Sequence, residues 1–220
     1  MDTDFGNLDW QQEYRRSRRI IKAGIPDRYI GKTLEDWRQD SKEAQSLYRR
    51  AMKFIDRFPM PDPFKGPSGF LIWGNPGTGK SLMHSIIMQE ILNRGHEGRF
   101  LRLTQYFGLV KETYQDGSEQ TEKQVIEELI FTPVLGIDDM GVTGEVSGWA
   151  HEKIYDLING RYEKGVPTFV TTNLAYPDEL KLSVGDRVVS RLAEMCEIWG
   201  SGAVDQRMKG ISGARTTNAA

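Results

Sequence analysis

The sequence predicts an α/β fold built on a parallel five-stranded sheet flanked by helices. Three observations predict it. Short apolar runs recur along the chain: "FLIWG" (70–74), "RFLRL" (99–103), "VLGID" (134–138), "TFVTTN" (168–173) and "CEIWG" (196–200). Stretches of helical character separate them, and strands alternating with helices join as βαβ units with parallel strands. The first run passes directly into "GNPGTGKS" (74–81), a glycine-rich turn that leads from a strand into a helix.

In chain order, "DWQQEYRRSRRIIKA" (9–23) is predicted helical, with Arg15, Arg16, Arg18, Arg19 and Lys22 crowded together. A charge run of this kind is most often a solvated helix face. "GIPDRYIGKTLEDW" (24–37) reads as a connector, because Gly and Pro break the helix. Ala44, Leu47, Tyr48, Ala51, Phe54, Ile55 and Phe58 then recur at helical spacing, behind Ser41 as N-cap. "PMPDPFKGPSG" (59–69) is a loop. Helices are predicted from Lys80 to about Asn93, from about Gln105 to Gln115, from Trp149 to Glu163, and over "GDRVVSRLAEM" (185–195).

Composition narrows the function. With 220 residues and 38% hydrophobic content, the chain can bury one good core plus an appended arm. Lys+Arg 29 against Asp+Glu 31 give a net charge of −2, so contact with nucleic acid has to come from a local patch. One cysteine, Cys196, excludes an internal disulfide and a multi-cysteine zinc site. The first ten residues lack the apolar core of a signal peptide, and no run reaches the roughly 18 apolar residues of a membrane helix. The expectation is a cytoplasmic protein with no membrane partner and no zinc.

The spacing G-x-x-x-x-G-K-[S/T] is met by Gly74, Gly79, Lys80 and Ser81. Its backbone N–H groups, from Gly74, Asn75, Pro76, Gly77, Thr78 and Gly79 onward (Pro76 lacking one), are expected to wrap the phosphates of ATP. Lys80 would reach the β- and γ-phosphates and the Ser81 hydroxyl would ligate Mg²⁺. A strand before the loop and a helix after it are the context this motif requires. In "VLGIDDMG", Asp138 and Asp139 stand at a strand end, Asp138 placed for Mg²⁺ and Asp139 for the attacking water. Asn173, ending "TFVTTN", could position the same water, although a terminal Asn is more often a turn cap.

This series of motifs, closed by an arginine-bearing late helix, resembles the AAA+ ATPases, and within them the clade of DnaC-type helicase loaders and IstB-type transposition helpers. "GIPDRYIGKTLEDW" is similar to that clade's lead-in segment, and the likeness runs over about residues 24–209. The resemblance implies that Asn173 is sensor I, that Arg191 is an arginine finger completing the neighbouring subunit's site in a homo-oligomer, and that Arg207 is a sensor II residue. "RLTQYFGLVKETYQDG" (102–117) resembles the helical element lining the central channel of loaders and initiators, which implies Lys111 and Tyr114 as contacts to single-stranded DNA. A cation on the backbone and a ring on a base suit that strand, at about 1–3 kcal/mol per stack.

The expected organisation is a basic arm over 1–23, an AAA+ ATPase domain over 24–209 with a reduced or absent lid, and a flexible tail over 210–220. The resemblance implies an ATP-dependent loader of a replicative DnaB-type helicase. The alternatives are an IstB-like helper acting on duplex DNA and a nucleotide-switched adaptor with little turnover. Two departures from the pattern bear on this: Asp139 stands where many AAA+ enzymes carry the longer Glu, and about 25 residues precede the core where such loaders usually carry a larger helicase-docking domain.

Overall fold

The computed structural model describes residues 5–60, 62, 64–141 and 147–202, with side chains placed from Tyr14 onward. The expected five parallel strands are β1 (Gly69–Trp73), β2 (Gly98–Arg102), β3 (Val134–Asp138), β4 (Thr168–Thr172) and β5 (Cys196–Gly200), in the order β2-β3-β4-β1-β5. The chain leaves β1 for the far edge strand β2 and returns inward through β3 and β4. The ends of β1, β3 and β4 therefore open on one crevice, at the position where doubly wound sheets bind ligands.

Alternate strand residues build two cores, as the period of two requires. Phe70, Ile72, Phe100, Phe169 and Trp199 face α1 (Phe5–Ala23), α2 (Lys42–Arg57) and α3 (Lys80–Asn93). The Phe70 ring stacks between Phe169 (centroids 4.5 Å) and Trp199 (4.8 Å) across three neighbouring strands. Leu71, Leu101, Leu135, Ile137 and Val170 face the opposite layer, made by α4 (Leu103–Glu112), α5 (Glu122–Phe131), α6 (Gly148–Lys164), α7 (Asp178–Val184) and α8 (Asp186–Met195). Ser41 caps α2 as predicted, its Oγ accepting from Ala44 N at 3.0 Å.

Arg161 ties this second layer to the sheet. It is fully buried, and its guanidinium donates to the carbonyls of Leu129 (2.6 Å), Ile130 (3.1 Å), Thr132 (2.8 Å) and Pro167 (2.6 Å), and to Thr168 Oγ1 (2.9 Å). Burial pushes its pKa down to about 9. It satisfies the last carbonyls of α5 and the lead-in to β4 with one side chain.

The structure departs from the sequence reading in three places. α5 and α7 were not foreseen. α4 ends at Glu112 rather than Gln115, because Thr113 N and Tyr114 N turn back to carbonyls three residues earlier, Val110 and Lys111, and unwind the last turn. The connector 24–37 holds two single 3₁₀ turns, Asp27–Tyr29 and Leu34–Asp36, the second capped by Thr33. No helix among the described residues is long and apolar enough to cross a membrane. The tail over 210–220 lies outside the described residues.

Candidate functional site

β1 ends at Trp73 and α3 begins at Lys80, so the glycine-rich loop is the whole turn between them. Gly79 caps α3 at φ 90°, in the left-handed region that glycine enters without strain. A Cβ there would also lie 2.7 Å from the Trp37 ring, which is itself anchored by Nε1 donating to Ala44 O at 3.0 Å. Helix α2 thus holds Trp37, and Trp37 holds the floor of the loop. Lys80 Nζ donates to the carbonyls of Gly74 (2.8 Å) and Asn75 (2.7 Å), and Thr78 Oγ1 meets Ser201 Oγ at 2.7 Å.

The acidic pair faces the loop from β3. Thr171 of β4 bridges it: its hydroxyl donates to Asp138 Oδ1 (2.6 Å) and accepts from Asp139 N (2.9 Å). Asp138 is buried. Burial by itself would raise its pKa, but the His84 imidazole and the hydroxyls of Thr171 and Ser81 outweigh it and hold the carboxyl below the usual range. Asp139 takes a left-handed backbone (φ 58°), uncommon outside glycine, and its side chain is exposed. There Asn173 Nδ2 donates to Asp139 Oδ1 at 2.5 Å.

Loop and acids share one cleft of about 620 Å³, together with Thr171, Asn173 and Arg102. Sequence reasoning missed several of its walls. Arg28, Tyr29 and Trp37 come from the segment read as a connector and Arg38 directly follows it, with the Arg28 guanidinium 4.5 Å over the Tyr29 ring. Arg102 ends β2 in register with Asp138, a pairing visible only once β2 and β3 are neighbours. The donor set fits a magnesium nucleotide. The Ser81 hydroxyl and Asp138 carboxylate are hard oxygen ligands lining the same cleft, and Lys80 and the start of α3 supply positive potential for phosphate.

The other candidates lie elsewhere. Arg191 does not line the cleft of its own chain. It sits on α8 with its guanidinium 4.3 Å over the Tyr162 ring and Nε donating to Asn159 Oδ1 at 3.3 Å. Lys111 and Tyr114 meet at a residue the sequence did not single out, Trp149 of α6. Lys111 Nζ is 5.3 Å from its ring, and Trp149 Nε1 donates to Tyr114 Oη at 3.0 Å. The Tyr114 hydroxyl in turn donates to Glu122, which accepts from the buried Lys153 at 2.6 Å. Arg207 lies outside the described residues.

A glycine-rich loop after β1, an acidic pair after β3 and an asparagine after β4, on a sheet ordered β2-β3-β4-β1-β5, define a P-loop nucleotide-binding protein of the AAA+ class. The chain matches the IstB-like ATP binding protein family over residues 32–197 and belongs to it. It is 24% identical over 185 residues to the replicative helicase loader DnaC of Escherichia coli strain K12, covering 84% of this chain and 72% of that one. It is 29% identical over 113 residues to the replicative helicase loader DnaI of Bacillus subtilis strain 168, covering 51% of this chain and 35% of that one. The crystal structure of the DnaC helicase loader shares its fold, with a TM-score of 0.67 at 23% identity over 80% of this chain and 99% of that one.

Proposed function

We propose that this protein is a Mg²⁺-dependent ATPase that loads a replicative hexameric helicase of the DnaB type onto single-stranded DNA. The observation that carries the reading is the linked set Asp138, Thr171, Asp139 and Asn173 facing Lys80 and Ser81 across one cleft, in a chain similar over most of its length to a helicase loader. The organisation that fits is an arm over 1–23, an ATPase domain over 24–209 and a tail over 210–220.

Lys80 and the N–H groups of residues 74–81 bind and orient the phosphates, and Ser81 and Asp138 would hold Mg²⁺, which when bound would neutralise developing phosphate charge. Asp139, kept in place by Asn173, orients the attacking water and takes its proton. Aspartate is one methylene shorter than the glutamate common at this position, so turnover is slow. Arg191, outside its own cleft, serves the cleft of a neighbouring copy, which makes hydrolysis conditional on assembly. Arg207 completes the site as sensor II. Lys111 and Tyr114 face single-stranded DNA in the channel.

The family's IstB-like description favours a second reading, a helper that assembles on duplex DNA for transposition. Capture of a purified replicative hexameric helicase by the full chain, with turnover measured with single-stranded and with duplex DNA, decides between them. Helicase binding and stimulation by single strands support the loader. No helicase binding with stimulation by duplex supports the helper.

A further inference from the structure

Helix α3 carries a histidine that has no direct part in the nucleotide chemistry above. His84 follows Lys80 by four residues and Ser81 by three, so it lies on the same helical face as both. It is fully buried, and neither ring nitrogen has a hydrogen-bond partner. The rings of Phe100 (centroids 4.5 Å), Phe70 (5.6 Å) and Phe169 (6.4 Å) surround it. Its remaining wall is the backbone of β3, where a Cβ on Gly136 would lie 2.6 Å from Nε2. The glycine of "VLGID" is therefore the space the imidazole fills.

An apolar side chain would occupy this cage without leaving two buried nitrogens unmatched, which is unfavourable. The carboxylate facing the imidazole is Asp138, with Nδ1 3.8 Å from the same Oδ1 that accepts from Thr171. That separation is one side-chain adjustment longer than a hydrogen bond. The cage fixes the ring, so the adjustment falls to the carboxylate.

We propose that His84 is a positioning residue for Asp138: its imidazole donates Nδ1–H to the carboxylate once Asp138 turns to hold a divalent cation beside nucleotide. The proposal rests on the reading of Asp138 as the metal-holding residue. With Nδ1 turned to Asp138, Nε2 lies against Gly136, which has no side chain to crowd it. Hydrogen bonds that orient metal ligands typically contribute about 10–100-fold in metal affinity.

The test uses three variants: His84→Leu fills the cage without a donor, His84→Asn places an amide N–H near the Nδ1 position, and His84→Gln places one near Nε2. Binding of a fluorescent ATP analogue is followed by anisotropy in excess EDTA and over a Mg²⁺ titration, with thermal unfolding of the metal-free protein alongside. His84→Leu is expected to bind as wild type in EDTA but to need about 10–100-fold more Mg²⁺ for the half-maximal metal-dependent gain. His84→Asn restores most of that gain and His84→Gln does not. Wild-type Mg²⁺ dependence in His84→Leu overturns the proposal and makes His84 a spacer. If His84→Leu does not fold, equal Mg²⁺ dependence in the Asn and Gln variants overturns it instead. Asp138→Asn tests the footing separately: a variant that keeps the full metal-dependent gain sinks the metal assignment of Asp138 itself.

Discussion

Thr171 and Asp138 share a hydrogen bond of 2.6 Å that joins β4 to the acidic end of β3, and the same hydroxyl accepts from Asp139 N. Thr171→Val keeps the shape but leaves the buried Asp138 carboxylate and the Asp139 N–H without that partner, at a cost of about 1–3 kcal/mol in stability. The larger effect is expected in turnover, because the acids lose their common brace. ATPase rate should fall about tenfold or more, with nucleotide affinity changed less than threefold. Unaltered turnover in a folded variant would make Thr171 an ordinary strand residue.

Lys80→Ala is expected to abolish ATP binding or turnover and leave the fold intact. The ammonium caps loop carbonyls rather than packing in a core, so the thermal midpoint should move little. Equilibrium binding of labelled ATP and a melting curve measure the two halves, and turnover at the wild-type rate would refute the site.

Arg191→Ala is expected to lower turnover by about 10³-fold, as arginines that stabilise phosphoryl transfer can. Mixed with Lys80→Ala it should regain activity, since each variant lacks a different half of a shared site and mixed assemblies hold some intact junctions. Its position over Tyr162, away from its own cleft, is the reason to expect rescue. Co-assembly without any rescue would place the finger elsewhere.

Arg161→Met strips partners from four carbonyls and the Thr168 hydroxyl in one step. Replacement of a buried group that satisfies several acceptors is expected to destabilise by about 3 kcal/mol or more, read as a lower urea midpoint at an unchanged slope. A loss within about 0.5 kcal/mol would mean that water replaces the guanidinium.

The sheet was legible because each strand is a short apolar run bounded by turn residues, and the loop and acids because their spacing is local. The rest depends on contacts between distant segments. α5 was passed over although Thr121 and Gln124 form a capping box, each accepting from the other's backbone N–H; its charged sequence "EKQVIEELIF" buries Val125, Ile126 and Leu129 in the core, with Ile130 half-buried beside them. α7 spans seven residues, too few for periodicity to show. Trp37 and Arg28 read as connector because nothing local reveals that Trp37 packs on Gly79. His84 is hidden for another reason. α3 is buried nearly all round, so a histidine within it breaks no pattern.

The basic and aromatic pair Lys111 and Tyr114 leads to the last prediction. The two do not share a helix face, since α4 ends between them, yet they converge on Trp149. Tyr114 is 56% exposed, so its ring is open to a base while its hydroxyl is held by Glu122 and Trp149. Single-stranded DNA is expected to stimulate turnover, and Lys111→Ala with Tyr114→Ala to remove the stimulation while basal ATPase survives, because neither residue lines the cleft. Losing one stack and one phosphate contact per subunit weakens binding by about 1–3 kcal/mol, part of it salt-dependent. Tyr114→Phe separates the ring from its hydroxyl: stacking needs only the ring, so this variant should bind single strands near wild type. Fluorescence anisotropy with labelled single-stranded and duplex oligonucleotides over a salt series measures both variants beside wild type. Normal single-strand binding by the double variant would sink the channel assignment, and a wild-type preference for duplex would shift the reading to the transposition helper.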